Sequence, residues 1–402
     1  DVKFLICAVS ILSLVGGYLQ TVQPIYLSLL GFDAASIGLL VSVTTLSGPV
    51  RMFLYSIIAD RYGRRKVLAI MYLIEITFFV IYYFSTNFVW FVIAAIFAGS
   101  GFTSMGLGGT IHQALVTDKS DREMRNMVFS FQTFIAFICS IIGSTLSGLP
   151  EYIEQTFGFD FITSIKPLFI LGIIATCLAS LLVLMTTEES TTSNLTKKQF
   201  IPQKSRRLIL KFAITNSIMG VGGGIFFSIV SLWFYQAFRV EMSEIGYILA
   251  IAKIIELPSY LIAPFIASKI GLVKAYFATR ISGAAIMLIM PLMPTAFLAA
   301  ILFGARSAIL HMSLPLKTSY MMALLSPEER ASSASIIQLL STGTRSATPP
   351  LGGYLMENVS VSLPVYIAAA AFTTEAVYYY FTFQKIKPPE ERSSVETTNT
   401  MS

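Results

Sequence analysis

The sequence predicts an all-α membrane protein with twelve transmembrane helices, arranged as two parallel six-helix pseudo-repeats. Apolar residues make up 55% of the 402 residues and charged residues only 12%, against roughly 25% charged in an ordinary soluble domain. A water-soluble chain of this length could not bury so much apolar surface, so lipid must be its solvent. A second observation is that a charged, glycine-containing turn between two apolar segments recurs half a chain length later.

Twelve stretches of the chain have the length and composition of membrane-spanning helices, which need about 20 mostly apolar residues. In chain order they are 4–30, 37–59, 67–84, 88–116, 126–148, 167–186, 208–237, 245–267, 275–292, 295–324, 332–356 and 362–383. The first stretch is too long for a signal peptide and lacks a small-residue cleavage pattern, so we assign it as the first helix. The connecting loops are short, which makes successive helices antiparallel neighbours.

The longest polar stretch inside the chain, residues 188–207, lies at its middle and predicts a cytoplasmic linker. It separates an N-terminal six-helix half, 1–187, from a C-terminal half, 208–384, and a cytoplasmic tail follows at 385–402. Each half has an even number of helices, so both halves have the same orientation in the membrane. They are therefore parallel repeats, related by an axis along the membrane normal.

Basic residues are distributed unevenly between the two sides of the predicted membrane. Nineteen Lys and Arg residues fall in the predicted cytoplasmic segments, and two, Lys166 and Arg239, fall in the external loops. This positive-inside bias predicts a multi-pass protein of the inner or plasma membrane with both termini in the cytoplasm. The net charge of +6 then indicates anionic lipid headgroups as a partner and gives no reason to expect nucleic acid.

The most specific motif lies between the second and third spans, at residues 60–66. A degenerate copy at 268–274 is aligned with it at one fixed offset of 208 residues, which places Gly63 on Gly271. This loop resembles the Asp-Arg-x-Gly-Arg-Arg loop of the major facilitator superfamily of membrane transporters. The residues in register with that pattern are Asp60, Arg61, Gly63, Arg64 and Arg65, and Ser56 replaces the leading Gly of the family pattern.

The resemblance covers the whole chain and implies secondary transport by alternating access, in which a central site opens to one side of the membrane at a time. In the turn itself, Gly63 permits a positive φ angle. The arginines can reach carboxylates and the carbonyl groups at helix C-termini. We therefore predict that the five motif residues gate one end of the transporter. A positive-inside anchor is the alternative.

Four basic side chains lie near the middle of predicted spans: Arg51, Lys253, Arg306 and Arg345. Each costs at least ~2.5–3.5 kcal/mol in a membrane unless it faces a polar cavity or a partner. The resemblance places all four on cavity-lining or flanking helices, and it places Glu75 and Glu375 on the outer helices. The remaining carboxylate, Glu256, is three residues after Lys253 and close enough to pair with it on one helix face. The four bases then outnumber the carboxylate and predict a substrate-binding site for an anion.

Two of these bases could have a role that does not involve a substrate. Arg51 could bond to backbone carbonyls freed by Pro49, and Arg345 could act in a cytoplasmic gate. Arg280, which lies near the end of its predicted span, is expected to extend towards the headgroups. Neutral and cationic solutes therefore remain alternatives to an organic anion.

Two further groups of residues are candidates for coupling and binding. Glu256 and His311 are the predicted proton-coupling residues, because a buried carboxylate or a histidine can carry a proton during transport. Gln20, Gln23 and Tyr26 form a polar stripe on the first helix, and Asn216 and Tyr235 lie on the seventh. These side chains suit hydrogen bonds with a solute, but an interhelical packing seam would have the same pattern.

The sequence thus favours a secondary transporter, symporter or antiporter, for a small-molecule substrate such as an organic anion, with a proton as a candidate coupling partner. The alternative is a proton-coupled drug exporter or a sugar-type carrier. We expect no enzyme and no cofactor, because the chain has no Walker pattern, no metal-ligand cluster and no paired carboxylates within one span. A receptor or scaffold would be expected to carry a large loop or a soluble domain.

Overall fold

The computed structural model of the chain describes residues 1–98, 109–121, 124–187, 205–256, 269–326 and 329–386, with positions 258, 259, 262 and 265. All regular secondary structure in these residues is helical. The predicted linker, apart from residues 205–207, and the tail beyond residue 386 lie outside the described residues, as does most of the glycine-rich part of the fourth span.

The α-helices are numbered in chain order over the described residues. In the first part of the chain they are α1 (Val2–Leu29), α2 (Ala34–Tyr62), α3 (Arg64–Phe84), α4 (Phe88–Phe97), α5 (Gly109–Asp118), α6 (Arg125–Thr145), α7 (Leu149–Phe157) and α8 (Phe161–Leu184). In the remainder they are α9 (Arg206–Phe226), α10 (Val230–Phe238), α11 (Met242–Glu256), α12 (Leu272–Ile289), α13 (Ala296–Leu324), α14 (Arg330–Ala347), α15 (Pro349–Asn358) and α16 (Leu363–Phe383).

Eight helical segments of the described chain are long and apolar enough to cross a membrane, and each corresponds to one of the twelve predicted spans. Of the other four predicted spans, 88–116 and 245–267 contain undescribed residues. The span 332–356 is divided at Thr348 into α14 and α15, and the last is α16. The chain is therefore an all-α, multi-pass integral membrane protein, as predicted.

Two predicted boundaries are wrong by several residues. The fifth span was predicted to end at 148, but its helical segment continues to Phe157. The sixth span was predicted to begin at 167, but α8 begins at Phe161 and contains Pro167 in its interior. Proline inside a helix is tolerated in membranes because neighbouring groups satisfy the carbonyl that it leaves unpaired. Pro24 in α1 and Pro49 in α2 lie inside helices in the same way.

The described chain divides into two compact units, of which the first comprises Asp1–Leu195 and Ile229–Ile251. In this unit α1 packs along α6 and α8, and α3 packs along α8. Two glycines bring α1 and α6 close together. A Cβ atom at Gly17 would overlap the carbonyl oxygen of Ser140, and one at Gly143 would overlap that of Leu14. Small residues allow close helix approach in membranes, where dispersion contacts drive association.

The second unit comprises Thr196–Ser228 and Ala252–Ser402. Here α9 packs along α14 and α16, and α12 packs along α13 and α16. A Cβ atom at Gly224 would overlap the carbonyl oxygen of Arg345, and one at Gly352 would overlap that of Ile225. These glycines follow Gly17 and Gly143 at nearly the offset that relates the two charged turns. The same close helix pair therefore occurs once in each unit, which is the packing counterpart of the predicted pseudo-repeat.

The charged turn has the predicted backbone conformation in both copies. Gly63 ends α2 with φ at 99° and its amide bonds to the carbonyl of Ala59, and Gly271 precedes α12 with φ at 83°. Only glycine adopts such angles at low cost. Large apolar side chains such as Phe53, Phe84 and Phe381 are exposed on the helices, as expected for surfaces that face lipid.

Candidate functional site

The buried carboxylate of Glu375 on α16 has three hydrogen-bond donors around it. It accepts hydrogen bonds from Tyr276 Oη at 2.6 Å, Lys317 Nζ at 2.9 Å and Arg280 Nε at 3.0 Å. Tyr276 and Arg280 are one turn apart on α12, so both reach the same acceptor. This Glu375 cluster joins α12, α13 and α16 within the second unit.

The structure contradicts the prediction that Arg280 extends to the headgroups. Arg280 is 3% exposed and Lys317 is 5% exposed, because both are drawn inwards by the fully buried Glu375. This cluster was not predicted, because Glu375 was assigned to a peripheral helix without a partner. The i, i+4 spacing of Tyr276 and Arg280 within an apolar segment was the available signal.

Arg306 on α13 is buried and lies against aromatic rings. Its guanidinium carbon is 3.6 Å from the centroid of the Phe227 ring and 5.0 Å from that of Phe372. A cation over an aromatic face is stabilised by ~0.5–2 kcal/mol. Within the described part of the chain, Arg306 has no carboxylate at ion-pair distance.

The two predicted proton-coupling residues lie in direct contact. His311 Nδ1 on α13 is 3.1 Å from Glu256 Oε1 at the end of α11, and Glu256 is 3% exposed. Lys253, one turn before Glu256, is also buried at 7% exposed. Glu256 was expected to pair with Lys253 on its own helix, and the structure adds His311 as a partner from a second helix.

Arg51 on α2 bonds to backbone carbonyl groups, but not to those freed by Pro49. It donates to the carbonyl oxygens of Phe97 and Ala98, at the C-terminal end of α4. Glu75 on α3 is the carboxylate within electrostatic range of Arg51. Glu75 is 1% exposed, and neither of its oxygens has a hydrogen-bond partner in the described structure.

Arg345 on α14 differs from the other three mid-span bases because its side chain is exposed. It makes no side-chain hydrogen bond or ion pair with any residue that the structure describes. Among the predicted substrate-binding bases, Arg345 is thus the one most available to a solute.

The polar stripe on α1 is largely engaged in helix packing. Gln23 Nε2 donates to Tyr82 Oη at 2.9 Å, and Tyr26 Oη donates to the Tyr82 carbonyl at 3.2 Å. Gln20 has an exposed side chain, while its carbonyl accepts from Ser231 Oγ at 2.9 Å. Gln23 and Tyr26 therefore have the contacts of a packing seam, and Gln20 remains available.

The two candidates from the seventh span fall in different units. Asn216 on α9 is half-buried and donates to the carbonyl of Phe212 on its own helix, at 2.8 Å. Tyr235 on α10 is half-buried. Roles for either residue in solute binding remain predictions.

The residues of the charged turn make contacts within the first unit. Arg64 Nη1 is 2.7 Å from Asp118 Oδ2 at the end of α5, and Arg65 Nη1 donates to the carbonyl of Thr186 at 2.6 Å, just after α8. Arg61 is exposed, and the side chain of Asp60 lies outside the described residues. The turn thereby ties the ends of four helices together, and its gating role remains a prediction.

Comparison with known proteins agrees with this architecture. The family model described as the Major Facilitator Superfamily matches residues 5–342. An uncharacterised membrane protein of Saccharomyces cerevisiae is 24% identical over 151 residues, which cover 37% of this chain and 34% of the yeast protein. The match thus spans about a third of that relative.

Solved transporters share the fold at low sequence identity. The Escherichia coli xylose transporter XylE superposes with a TM-score of 0.75 at 13% identity, covering 98% of this chain and all of that one. The nucleoside transporter NupG gives 0.72 at 17% identity, with 96% of this chain and all of that one covered. A bacterial homologue of the human lysosomal transporter Spinster gives 0.70 at 15% identity over 96% of each chain.

The helical architecture, the repeated turn and these matches define a membrane transporter fold and indicate a transporter, not an enzyme. The chain belongs to the Major Facilitator Superfamily.

Proposed function

We propose that this protein is a secondary active transporter that moves a small organic anion across a membrane by alternating access. The observation that carries the proposal is the exposed, unpartnered guanidinium of Arg345 on a helix that lies within a predicted span. A charge at that depth is retained when it meets a polar cavity or a partner. A carboxylate or phosphate group of a solute is the partner that a planar guanidinium binds best.

The balance of charged side chains within the predicted membrane spans supports an anionic solute. Of the basic side chains there, Arg280 and Lys317 are neutralised by Glu375, and Lys253 lies one turn from Glu256. Arg51 has carbonyl partners and the nearby Glu75. Arg306 contacts the rings of Phe227 and Phe372 and, like Arg345, has no carboxylate partner among the described residues. A bound anion would remove the cost of holding the Arg345 charge within the membrane.

The test is a thermal-shift screen of the purified protein in detergent, followed by uptake into proteoliposomes. Small organic anions are compared with neutral sugars and lipophilic cations of similar size, at fixed chloride concentration and at pH 5.5 and 7.5. We expect anions alone to raise the melting temperature, because a ligand that binds only the folded state stabilises it. Stabilisation by sugars or cations alone would overturn the anion assignment.

A matched pair of variants locates the binding group. Arg345→Gln should abolish stabilisation and uptake by the anion, and Arg345→Lys should retain part of both. Arg239→Gln, which removes an exposed charge from an external loop, is the control and should leave both unchanged. Equal anion responses in Arg345→Gln and in the unmodified protein would contradict the role of Arg345.

Proton coupling is a second candidate, favoured by the contact between His311 and Glu256. A carboxylate and an imidazole at 3.1 Å can share a proton and release it when their surroundings change. Glu256→Gln should then abolish uptake driven by a pH gradient and retain exchange of solute across the membrane. Loss of exchange and gradient-driven uptake to the same extent would indicate that Glu256 has a structural role.

A further inference from the structure

A small cavity lies within the second unit, among α12, α13 and α16. Arg280 and Arg306 both line it, together with Thr279, Gly283 and Phe372. Its free space holds about one water-sized particle. The cavity is therefore too small for an organic solute, and it is distinct from the exposed Arg345 to which the proposed function assigns the substrate.

Arg280 brings an unused hydrogen-bond donor to this cavity. Its Nε bonds to Glu375 at 3.0 Å, but its Nη2 is buried and has no partner in the described structure. The side chain as a whole is 3% exposed. A buried charged donor without an acceptor costs more than a typical hydrogen bond contributes, so such groups are rare unless a water or an ion completes them.

Arg306 supplies a second positive charge on the same lining. It is 3% exposed, its contacts are with the rings of Phe227 and Phe372, and no described carboxylate pairs with it. Around the cavity the bases are Arg280, Arg306 and Lys317, and Glu375 is the carboxylate in contact with two of them. Glu256, the other buried carboxylate among the described residues of the second unit, is in contact with His311. The residues around the cavity therefore carry a formal excess of positive charge.

We propose that this cavity binds a monovalent inorganic anion of about the size of chloride, held between the guanidinium groups of Arg280 and Arg306. The sign follows from the excess of guanidinium groups, and the limited free space restricts the ligand to a small ion. A water molecule would satisfy Arg280 Nη2 but would leave the charge of Arg306 without a counterion. The bound anion stabilises the junction of α12, α13 and α16.

The proposal is tested on the full chain, purified in detergent, by its melting temperature in sodium chloride, sodium bromide and sodium gluconate at equal ionic strength. Gluconate is too large for the cavity, and the comparison is made in Arg345→Gln as well, because the proposed function expects this variant to have lost its response to organic anions. We expect a rise of roughly 2–4 °C with chloride or bromide over gluconate for an anion at about ten times its Kd, increasing with the logarithm of halide concentration. Equal melting temperatures in the three salts would overturn the proposal.

Two variants assign the effect to the cavity. Arg306→Gln removes one guanidinium and should abolish the difference between chloride and gluconate. Gly283→Ala keeps both guanidiniums and adds one methyl group to the lining, with room for it, since its nearest neighbours would be Ile309 at 3.8 Å and Arg306 at 4.0 Å. This variant should need at least a tenfold higher halide concentration for the same rise in melting temperature. If Arg306→Gln does not fold, Gly283→Ala decides, and an unchanged halide response in it contradicts the proposal.

Arg345→Gln distinguishes this halide site from the proposed substrate site. It should lose stabilisation by organic anions and keep the full halide response. Arg239→Gln should keep both responses. Anomalous scattering from crystals grown in bromide gives the direct readout, with a peak expected between Arg280 and Arg306. A peak elsewhere, with none in the cavity, would refute the assignment.

Discussion

The Nε atom of Arg280 lies 3.0 Å from Oε2 of Glu375, and these two buried side chains link α12 to α16. Glu375 also accepts from Lys317 on α13, so one carboxylate connects three helices. Burying such charges is costly, and the pairing offsets that cost only while every member is present. Removal of the single acceptor leaves two basic groups and the hydroxyl of Tyr276 without their common partner.

Glu375→Gln should therefore be among the most destabilising substitutions of a polar residue in the second unit. We expect a loss of about 3–5 kcal/mol in the free energy of unfolding, because Arg280 and Lys317 would be left buried and uncompensated. The measurement is the melting temperature of the purified protein, with yield from membranes as a second readout.

Glu75→Gln is the matched control, since Glu75 is equally buried on α3 but neither of its oxygens has a partner among the described residues. Replacing a buried carboxylate that has no hydrogen-bond partner by a neutral amide should cost much less than Glu375→Gln, because only its attraction to Arg51 is lost. Equal losses in the two variants would show that hydrogen bonding to Glu375 does not explain its effect.

The fold could be predicted from the sequence because its strongest signals are local. The length of each apolar segment and the glycine turn at Gly63 need no knowledge of distant contacts. The match of Gly271 to Gly63 was also readable from the sequence. The structure adds that Gly17 and Gly224 make equivalent close approaches to a partner helix, which could not be inferred without knowing which helices are neighbours.

The charged groups were less predictable because their partners come from other helices. Arg280 was expected to extend to the headgroups, although Glu375, 95 positions later, draws it inwards. Glu256 was matched with Lys253 on its own helix, whereas His311 also contacts it from α13. Periodicity specifies which residues share a helix face, but the rotation of that helix against its neighbours is set by the whole packing arrangement.

Gly224→Ala should disrupt the packing of α9 against α14 and α15. An added Cβ atom would overlap the carbonyl oxygen of Arg345 and the hydroxyl of Thr348, and backbone atoms cannot move aside as a flexible side chain can. Overpacking of this kind costs about 1–3 kcal/mol. The melting temperature in detergent measures it.

The adjacent Gly223→Ala is the control, because a Cβ atom there meets nothing within 4 Å. Alanine favours a helix over glycine by up to ~1 kcal/mol, so this variant should be neutral or slightly more stable. A similar loss in both variants would place the cause in backbone conformation and not in close helix contact.

Arg64→Gln should change stability little, although it breaks the 2.7 Å ion pair with Asp118. The side chains of Arg64 and Asp118 are 25% and 27% exposed, and partly exposed pairs contribute about 0–1 kcal/mol and are screened by salt. If the charged turn acts in gating, uptake into proteoliposomes should fall much more than stability does. A parallel fall in melting temperature and uptake would indicate that the charged turn acts only as a positive-inside anchor.

The contact between His311 and Glu256 should appear as an energetic coupling in a double-mutant cycle. The variants are Glu256→Gln, His311→Gln and the double substitution, each measured by melting temperature at pH 5.5 and 7.5. Residues in direct contact couple by about 0.5–3 kcal/mol. The two side chains should therefore be coupled at both pH values, through the hydrogen bond between imidazole and carboxyl group. If the effects of the two substitutions on the melting temperature are additive at both pH values, the two side chains do not share a proton. Such a result would contradict the assignment of Glu256 as the proton-coupling carboxylate.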